Sequence, residues 1–261
     1  MIKRAIVNVT ISTPGRNYIV GQRRLLGEFP DETKIMWSEQ LPTYSPSHAQ
    51  IPYAFKAWAL KAAQCQHRVD TVLWTDACII SGPRPLKELW EHVEREGYWI
   101  CNNGYTNYEW TAESAYPDLF PGIKDAKEEN AQIPHAVGTA FGLNLQSTIG
   151  KAFLDEYLRL AQTDAFKGPW VNANHEEGKR QLEYARRRGI PAQGVASCGP
   201  PDVRGHRHDQ TAISVIAWEL GMQLTKAPEW FSYANYKPEN TSSMSMADQS
   251  ERSCLIAAGR Y

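Results

Sequence analysis

Two short stretches of this chain carry side chains fit for chemistry. In TVLWTDACII (71–80) an apolar, β-branched run is interrupted at Asp76, with Cys78 two residues on. A buried strand tolerates a carboxylate only where it runs out, and in open α/β sheets ligands settle in the crevice outside the carboxyl ends of the strands. Asp76 is therefore either a turn residue or a ligand group at the mouth of a sheet. In GHRHDQTAISVIAWELG (205–221), Arg207, His208, Asp209 and Gln210 stand directly before an apolar, periodic segment. Asp209 suits the N-cap of that helix. Two histidines, an arginine, a carboxylate and an amide at a positive helix end are more than capping needs, and suit a sugar phosphate or a metal.

The elements that must position these groups are legible in outline. RAIVNVTI (4–11) reads as a first strand, followed by turn residues from Ser12 to Gly15 and a helix over 18–29. KIMWSE (34–39) reads as a strand and 41–52 as a proline-bearing loop, and the Ala, Leu and Lys of 53–66 favour helix. TVLWTDACII follows as one strand, then PLKELWEHVEREG (85–97) as a helix with Pro near its start and Gly just past its end. YWICNN (98–103) is a short strand, and 104–134 a long aromatic and acidic excursion of the kind that is often functional. HAVGTAFGLNL (135–145) reads as a strand broken by two glycines, 148–164 and 209–221 as helices, and 175–189 as a charged helix or arm. Such alternation implies one α/β domain with a mostly parallel sheet. The polar, small residues from Pro238 onward suggest a tail.

The succession PYAFKAWALKAA, TVLWTDACII, PLKELWEHV resembles the donor-binding half of GT-A-type glycosyltransferases, where a lysine-bearing helix precedes the strand that ends in an Asp-x-Asp metal motif. HDQTAIS is similar to the motif with which retaining GT-A enzymes of the glycogenin and galactosyltransferase type open a late helix. The PYAFK and VLW-D core also resembles uncharacterised bacterial and phage proteins. The resemblance implies a GT-A (Rossmann-like) mixed, mostly parallel sheet flanked by helices. It implies a nucleotide-binding half over 1–103, an acceptor and catalytic half over 104–227, and a C-terminal tail or lid over 228–261. Sugar would pass from a nucleotide-diphosphate sugar, UDP-sugar favoured, to an acceptor hydroxyl, with retention. The implied cofactor is a divalent cation, Mn2+ or Mg2+, on Asp76. Cys78 stands where the second carboxylate is expected, and a thiol is a poor ligand for a hard cation.

On this reading Asp209 meets the donor sugar's hydroxyls, and Gln210 lies on the face of the anomeric carbon opposite the leaving group. Gln210 is not a carboxylate nucleophile, which favours front-face transfer, while His208 or Asp209 would serve as base in an inverting enzyme. Thr10 and Thr13 either lie where the nucleoside is met or are ordinary turn residues, with Trp74 and Thr75 beside Asp76. Lys56 is either a phosphate or sugar contact or a snorkelling surface lysine. Gly138 and Thr139 let the sugar approach the backbone or form a bulge. Arg207 is placed with the donor, and Arg260 closes over the pyrophosphate. Asn102, Asn103, Tyr105 and Trp110 suit stacking and hydrogen bonding to an acceptor, although part of that segment, with Trp99 and Tyr108, equally fills a core.

Composition narrows the partners. Lys plus Arg number 28 against 29 Asp plus Glu, a net charge of -1, so any anion site is local. The arginines at 186–188 are either a solvated helix end or phosphate contacts. The phage-like resemblance, the arginine run and the aromatic excursion make a hydroxymethylated base in phage-type DNA an alternative acceptor to a glycan, with the near-neutral charge against it. A nucleotide-sugar-binding protein without catalysis is a further alternative, as is a nucleotidyltransferase. Five cysteines without a CxxC pair imply free thiols. No stretch has the length and apolarity of a membrane span, and the expected location is cytoplasmic, the host cytoplasm for a phage-encoded chain.

Overall fold

The computed structural model describes residues 2–11, 18–234 and 252–258. In chain order the elements are β1 (Arg4–Thr10), α1 (Tyr18–Glu28), β2 (Lys34–Ser38), α2 (Phe55–Cys65), β3 (Thr71–Thr75), β4 (Ile79–Ser81), α3 (Leu86–Glu96), β5 (Tyr98–Thr106), α4 (Tyr116–Leu119), α5 (Ala126–Gln132), β6 (Pro134–Asn144), α6 (Thr148–Leu160), β7 (Val171–Asn172), α7 (Glu176–Arg188), β8 (Val195–Ala196), α8 (Asp209–Glu219), β9 (Thr225–Lys226), β10 (Phe231–Tyr233) and β11 (Leu255–Ala257).

Six strands form the central sheet in the order β2-β1-β3-β6-β5-β9. β1 pairs in parallel with β2 and β3, and β5 with β9, whereas β6 is antiparallel to both β3 and β5. Five strands therefore run one way and β6 the other, the mixed, mostly parallel α/β sheet that the alternation of elements implies.

Both faces of this sheet are buried, and successive side chains point to opposite faces, which is why its strands are apolar almost throughout. Val7, Val9, Val72, Trp74 and Phe141 belong to one core with α2, α6 and α8. Ile6, Leu73, Trp99, Val137 and Ala140 belong to a second core with α1, α3, β10 and β11. α8 is buried nearly all round, as a helix beneath other elements must be.

Several sequence expectations change. TVLWTDACII is not one strand: β3 ends at Thr75, the Asp76 amide donates to Thr139 O at 2.8 Å as the last rung, and Ile79 N closes a turn onto Asp76 O at 3.1 Å. The chain then enters β4, which pairs antiparallel with β11 in a separate three-stranded sheet. β6 is not broken by its glycines. A Cβ at Gly142 would come 2.7 Å from Val93 Cγ2 and 2.8 Å from Leu73 Cδ2, so glycine serves close packing there. The excursion over 104–134 is largely structured, because β5 extends to Thr106 and α4 and α5 follow.

The expected tail or lid over 228–261 is also corrected in its described parts. β10 pairs in parallel with β11, and Leu255 and Phe231 are fully buried. Ser12 to Gly15 and Pro238 lie outside the described residues. Among the described residues no helix is long and apolar enough to cross a membrane.

Candidate functional site

Asp76 is half-buried because β3 stops one residue before it, at the carboxyl end of the sheet. Asp209 arrives from the other half of the chain. Ser214 of α8 accepts from Ala136 N of β6 at 2.8 Å and donates to Gln210 O at 2.7 Å, which docks the first turn of the helix on the strand. Lys56 comes from the first turn of α2, a helix of Ala and Leu that lies flat on the sheet. Its ammonium lies 3.1 Å from Asp76 Oδ1 and 2.8 Å from Asp209 Oδ2, and donates to Gly138 O at 2.8 Å. The faces of Tyr53 and Trp74 flank it at 5.4 and 5.1 Å.

Burial sets the electrostatics of this cluster. The side chains of Lys56 and Asp209 are 3% exposed and that of Asp76 33%. Burial pushes the Asp209 carboxyl up to about 6, with Lys56 pulling the other way. For Lys56, burial favours the neutral amine, but Asp209 and Asp76 together more than offset it and hold the ammonium above its ordinary value. The ammonium is thus the permanent charge, and it keeps the buried carboxylate ionised in neutral solution.

Asp76 stands on the wall of a cavity of about 320 Å³, lined also by Val9, Thr10, Tyr18, His48, Tyr53 and Phe55. Cys78 lines it too, and burial pushes its thiol up to about 12, so it is a protonated apolar side chain. Concave, ring-lined walls with one carboxylate suit a planar, partly polar ligand. A shallow depression of about 550 Å³ beside α7 is larger, but it gathers surface residues such as Arg180, Tyr184 and Ile190 and meets none of the buried charges.

A column of flat groups continues from Tyr53. His208 stacks on Tyr53 at 5.5 Å and on Trp170 at 5.6 Å. The Arg207 guanidinium lies 4.0 Å from Trp170 and 3.9 Å from Trp110, and Trp110 stacks on His135 at 6.3 Å. Tyr53 and His208 adopt φ of 60° and 49°, a region costing about 1–3 kcal/mol for residues other than glycine and tolerated where surroundings over-determine it. Each precedes the helix that delivers Lys56 or Asp209, and each ring locks the other.

The sequence-predicted residues fall into three groups. Asp76, Lys56, Gly138, Asp209 and Gln210 are brought together, and Thr10 lines the adjoining cavity. Lys56 is not the snorkelling surface lysine: it is buried, with three oxygens around it. Asp209 is corrected from N-cap to first helical residue, His208 holding the cap position. Gly138 does not leave room for a sugar at the backbone. A Cβ there would meet Gln210 Cγ at 2.6 Å and Asp209 Oδ2 at 2.8 Å, so those side chains fill the space, and Thr139 O is taken by the Asp76 amide.

Other residues are placed apart from the cavity. Trp74 and Thr75 are buried inside β3, and Trp74 supports the site from behind by donating Nε1 to Asp76 Oδ1 at 2.8 Å. His208 is buried and shares a hydrogen bond of 2.9 Å between Nδ1 and Phe166 O. A proton on Nδ1 satisfies that carbonyl and leaves Nε2 as the acceptor nitrogen. Arg207 is held in the stack. Asn102 and Asn103 accept from the amides of Gly104 and Tyr105, shaping the end of β5. Tyr105 is exposed and meets Trp110 edge-on at 5.7 Å. Thr13 and Arg260 lie outside the described residues.

Sequence reasoning missed Trp170 entirely, together with the cavity roles of Tyr18 and His48. Its one signal was a lone Trp in GPW at a turn, and nothing local announces that this turn packs on Arg207.

No family model matches the chain, and no curated protein does. Among solved structures it is similar, at 14% identity over 76% of this chain and 83% of the other, to a glycosyltransferase involved in glycosylation of the major capsid of PBCV-1, with a TM-score of 0.37. It is similar at 11% identity to the galactosyltransferase LgtC in complex with donor and acceptor sugar analogues, over 97% of this chain and 86% of that one, with a TM-score of 0.40. The likeness to mouse xyloside xylosyltransferase 1 is 10% identity over 98% and 97% of the two chains, at a TM-score of 0.42.

Proposed function

We propose that this protein is a glycosyltransferase that moves a hexose or pentose from a nucleotide-diphosphate sugar, UDP-sugar favoured, to an acceptor hydroxyl with retention. The observation that carries the reading is the meeting of Asp76 and Asp209 on Lys56 at the wall of a ring-lined cavity. The cavity receives the nucleoside, with Thr10 at the end of β1 and Tyr18, His48, Tyr53 and Phe55 as its ring walls. Asp76 lies between nucleoside and sugar, and Asp209 and Gln210 lie beside the sugar.

In the transfer, the bond from the anomeric carbon to the diphosphate breaks and its electron pair leaves with the diphosphate. The acceptor oxygen bonds to that carbon on the same face, and its proton passes to a departing phosphate oxygen. Gln210 offers an amide and no carboxylate, so this route needs no covalent sugar on the enzyme. A preorganised dipole beside a developing positive centre costs no reorganisation during the reaction.

In the arginine run that bears on the modified-DNA alternative, Arg186 and Arg187 are paired with Glu183 at an exposed helix end. The test is to incubate the protein with a panel of nucleotide sugars, separating released nucleoside diphosphate from pyrophosphate. Release of nucleoside diphosphate, lost in Asp209→Asn, supports the reading. Release of pyrophosphate indicates a nucleotidyltransferase, and tight binding without turnover a binding protein.

A further inference from the structure

We infer that Lys56 is the resident cation of the carboxylate pair, and that ligand binding in the cavity at Asp76 does not depend on a divalent metal. The part of this concerning nucleotides rests on the proposed function; the part concerning metal ions does not.

Magnesium, manganese and calcium take oxygen donors, six or more in total, and prefer carboxylates. Of the two carboxylates here, Asp209 is buried against the Lys56 ammonium at 2.8 Å and turned away from solvent. Asp76 Oδ1 accepts from Trp74 Nε1 at 2.8 Å and meets Lys56 at 3.1 Å, and among the described residues lining the cavity Asp76 is the one carboxylate. The next candidate, Cys78, is a soft sulfur packed against the second core, and its carbonyl is taken by Arg24 Nη2 at 3.2 Å and by Ala258 N at 3.0 Å. Among the described residues no three His, Cys, Asp or Glu side chains gather as ligands. The donor set among the described residues does not fit a divalent site.

Lys56 supplies what such an ion would otherwise supply to the protein. It joins the end of β3 to the start of α8 by charge, with Gly138 O as third partner and two aromatic faces beside it, and it is covalently attached. The pair is preorganised before any ligand arrives.

The experiment titrates Mn2+ into the full chain, following the free ion by electron paramagnetic resonance, alone and with uridine diphosphate. The expected result is binding no tighter than millimolar, and uridine diphosphate affinity by calorimetry that differs by less than about threefold between EDTA and Mn2+. Cys78→Asp, which places a hard oxygen donor two residues after Asp76, should gain Mn2+ affinity by at least about tenfold, and Asp76→Asn in that background should remove the gain. Micromolar Mn2+ binding by the unmodified protein that Asp76→Asn abolishes overturns the inference. So does nucleotide binding that strengthens about tenfold or more with Mn2+. If uridine diphosphate binds in neither buffer, the UDP-sugar reading fails, and the free-ion titration still decides the metal question. If Cys78→Asp does not fold, the unmodified protein alone decides it.

Discussion

Asp76, at the end of β3, and Asp209, at the start of α8, are held on one buried ammonium, that of Lys56, at 3.1 and 2.8 Å. Removing one member of such a cluster leaves charge buried without compensation, which typically costs about 3–5 kcal/mol. Lys56→Met should lose stability of that order in urea denaturation, because both carboxylates remain. Lys56→Met combined with Asp209→Asn should lose less than Lys56→Met alone. Equal losses would show that the ion pair is not the origin of the cost.

Asp209→Asn keeps the shape of the side chain and removes its charge. Under the proposed function, turnover should fall by at least about a hundredfold, the scale on which single preorganised polar groups act. The acid limb of the turnover profile should follow the raised carboxyl, bending near pH 6. A bend near pH 4 would place the titrating group elsewhere.

Two glycines of β6 give opposite readouts. Gly142→Ala presses a methyl on Val93 and Leu73, within the core, and should cost about 1–3 kcal/mol of stability with little change at the cavity. Gly138→Ala presses on Gln210 and Asp209. It should depress nucleotide-sugar turnover by a larger factor than Gly142→Ala at comparable or smaller loss of melting temperature.

Three buried histidines should make the fold acid-sensitive. Burial pushes His206 and His135 down to about 3 and His208 to about 4. His206 has a defined neutral form, its Nδ1 accepting from Ala112 N and its Nε2 donating to Ala165 O, so protonation breaks a bond. Below about pH 6.5 the unfolded chain takes up protons at these positions while the folded chain does not. Each therefore contributes stability that is complete above that pH and declines by about 1.4 kcal/mol per unit on acidification. Asp209 acts in the opposite sense below pH 6 but is one group against three. The urea midpoint should fall between pH 7 and pH 5, and a flat profile would contradict the burial of neutral imidazoles.

The C-terminal strand should be structural. Leu255 is fully buried between β4 and β10, and Leu255→Ala should cost about 2–4 kcal/mol in chemical denaturation. A change within 0.5 kcal/mol, the usual range for surface substitutions, would restore the reading of this segment as a loose tail.

Much of the fold was legible locally because period and punctuation are local. α3, with Pro85 before it and Gly97 at φ 90° after it, could be bounded from its own residues. Asp76 was identifiable as a strand-end carboxylate for the same reason, since an acidic residue after a run of three apolar residues and Thr75 has few places to be. The sequence by itself determined the alternation of elements, both short signatures, and the absence of a second carboxylate at Cys78. Only the tertiary structure decided that Lys56 points inward, that Gly138 makes room for Asp209 and Gln210, and that Trp170 and Trp110 clamp Arg207. It also decided that 252–258 closes a sheet with 79–81. These are contacts between segments far apart along the chain, and their energies arise from burial and from charges brought together by other elements. No local pattern encodes them.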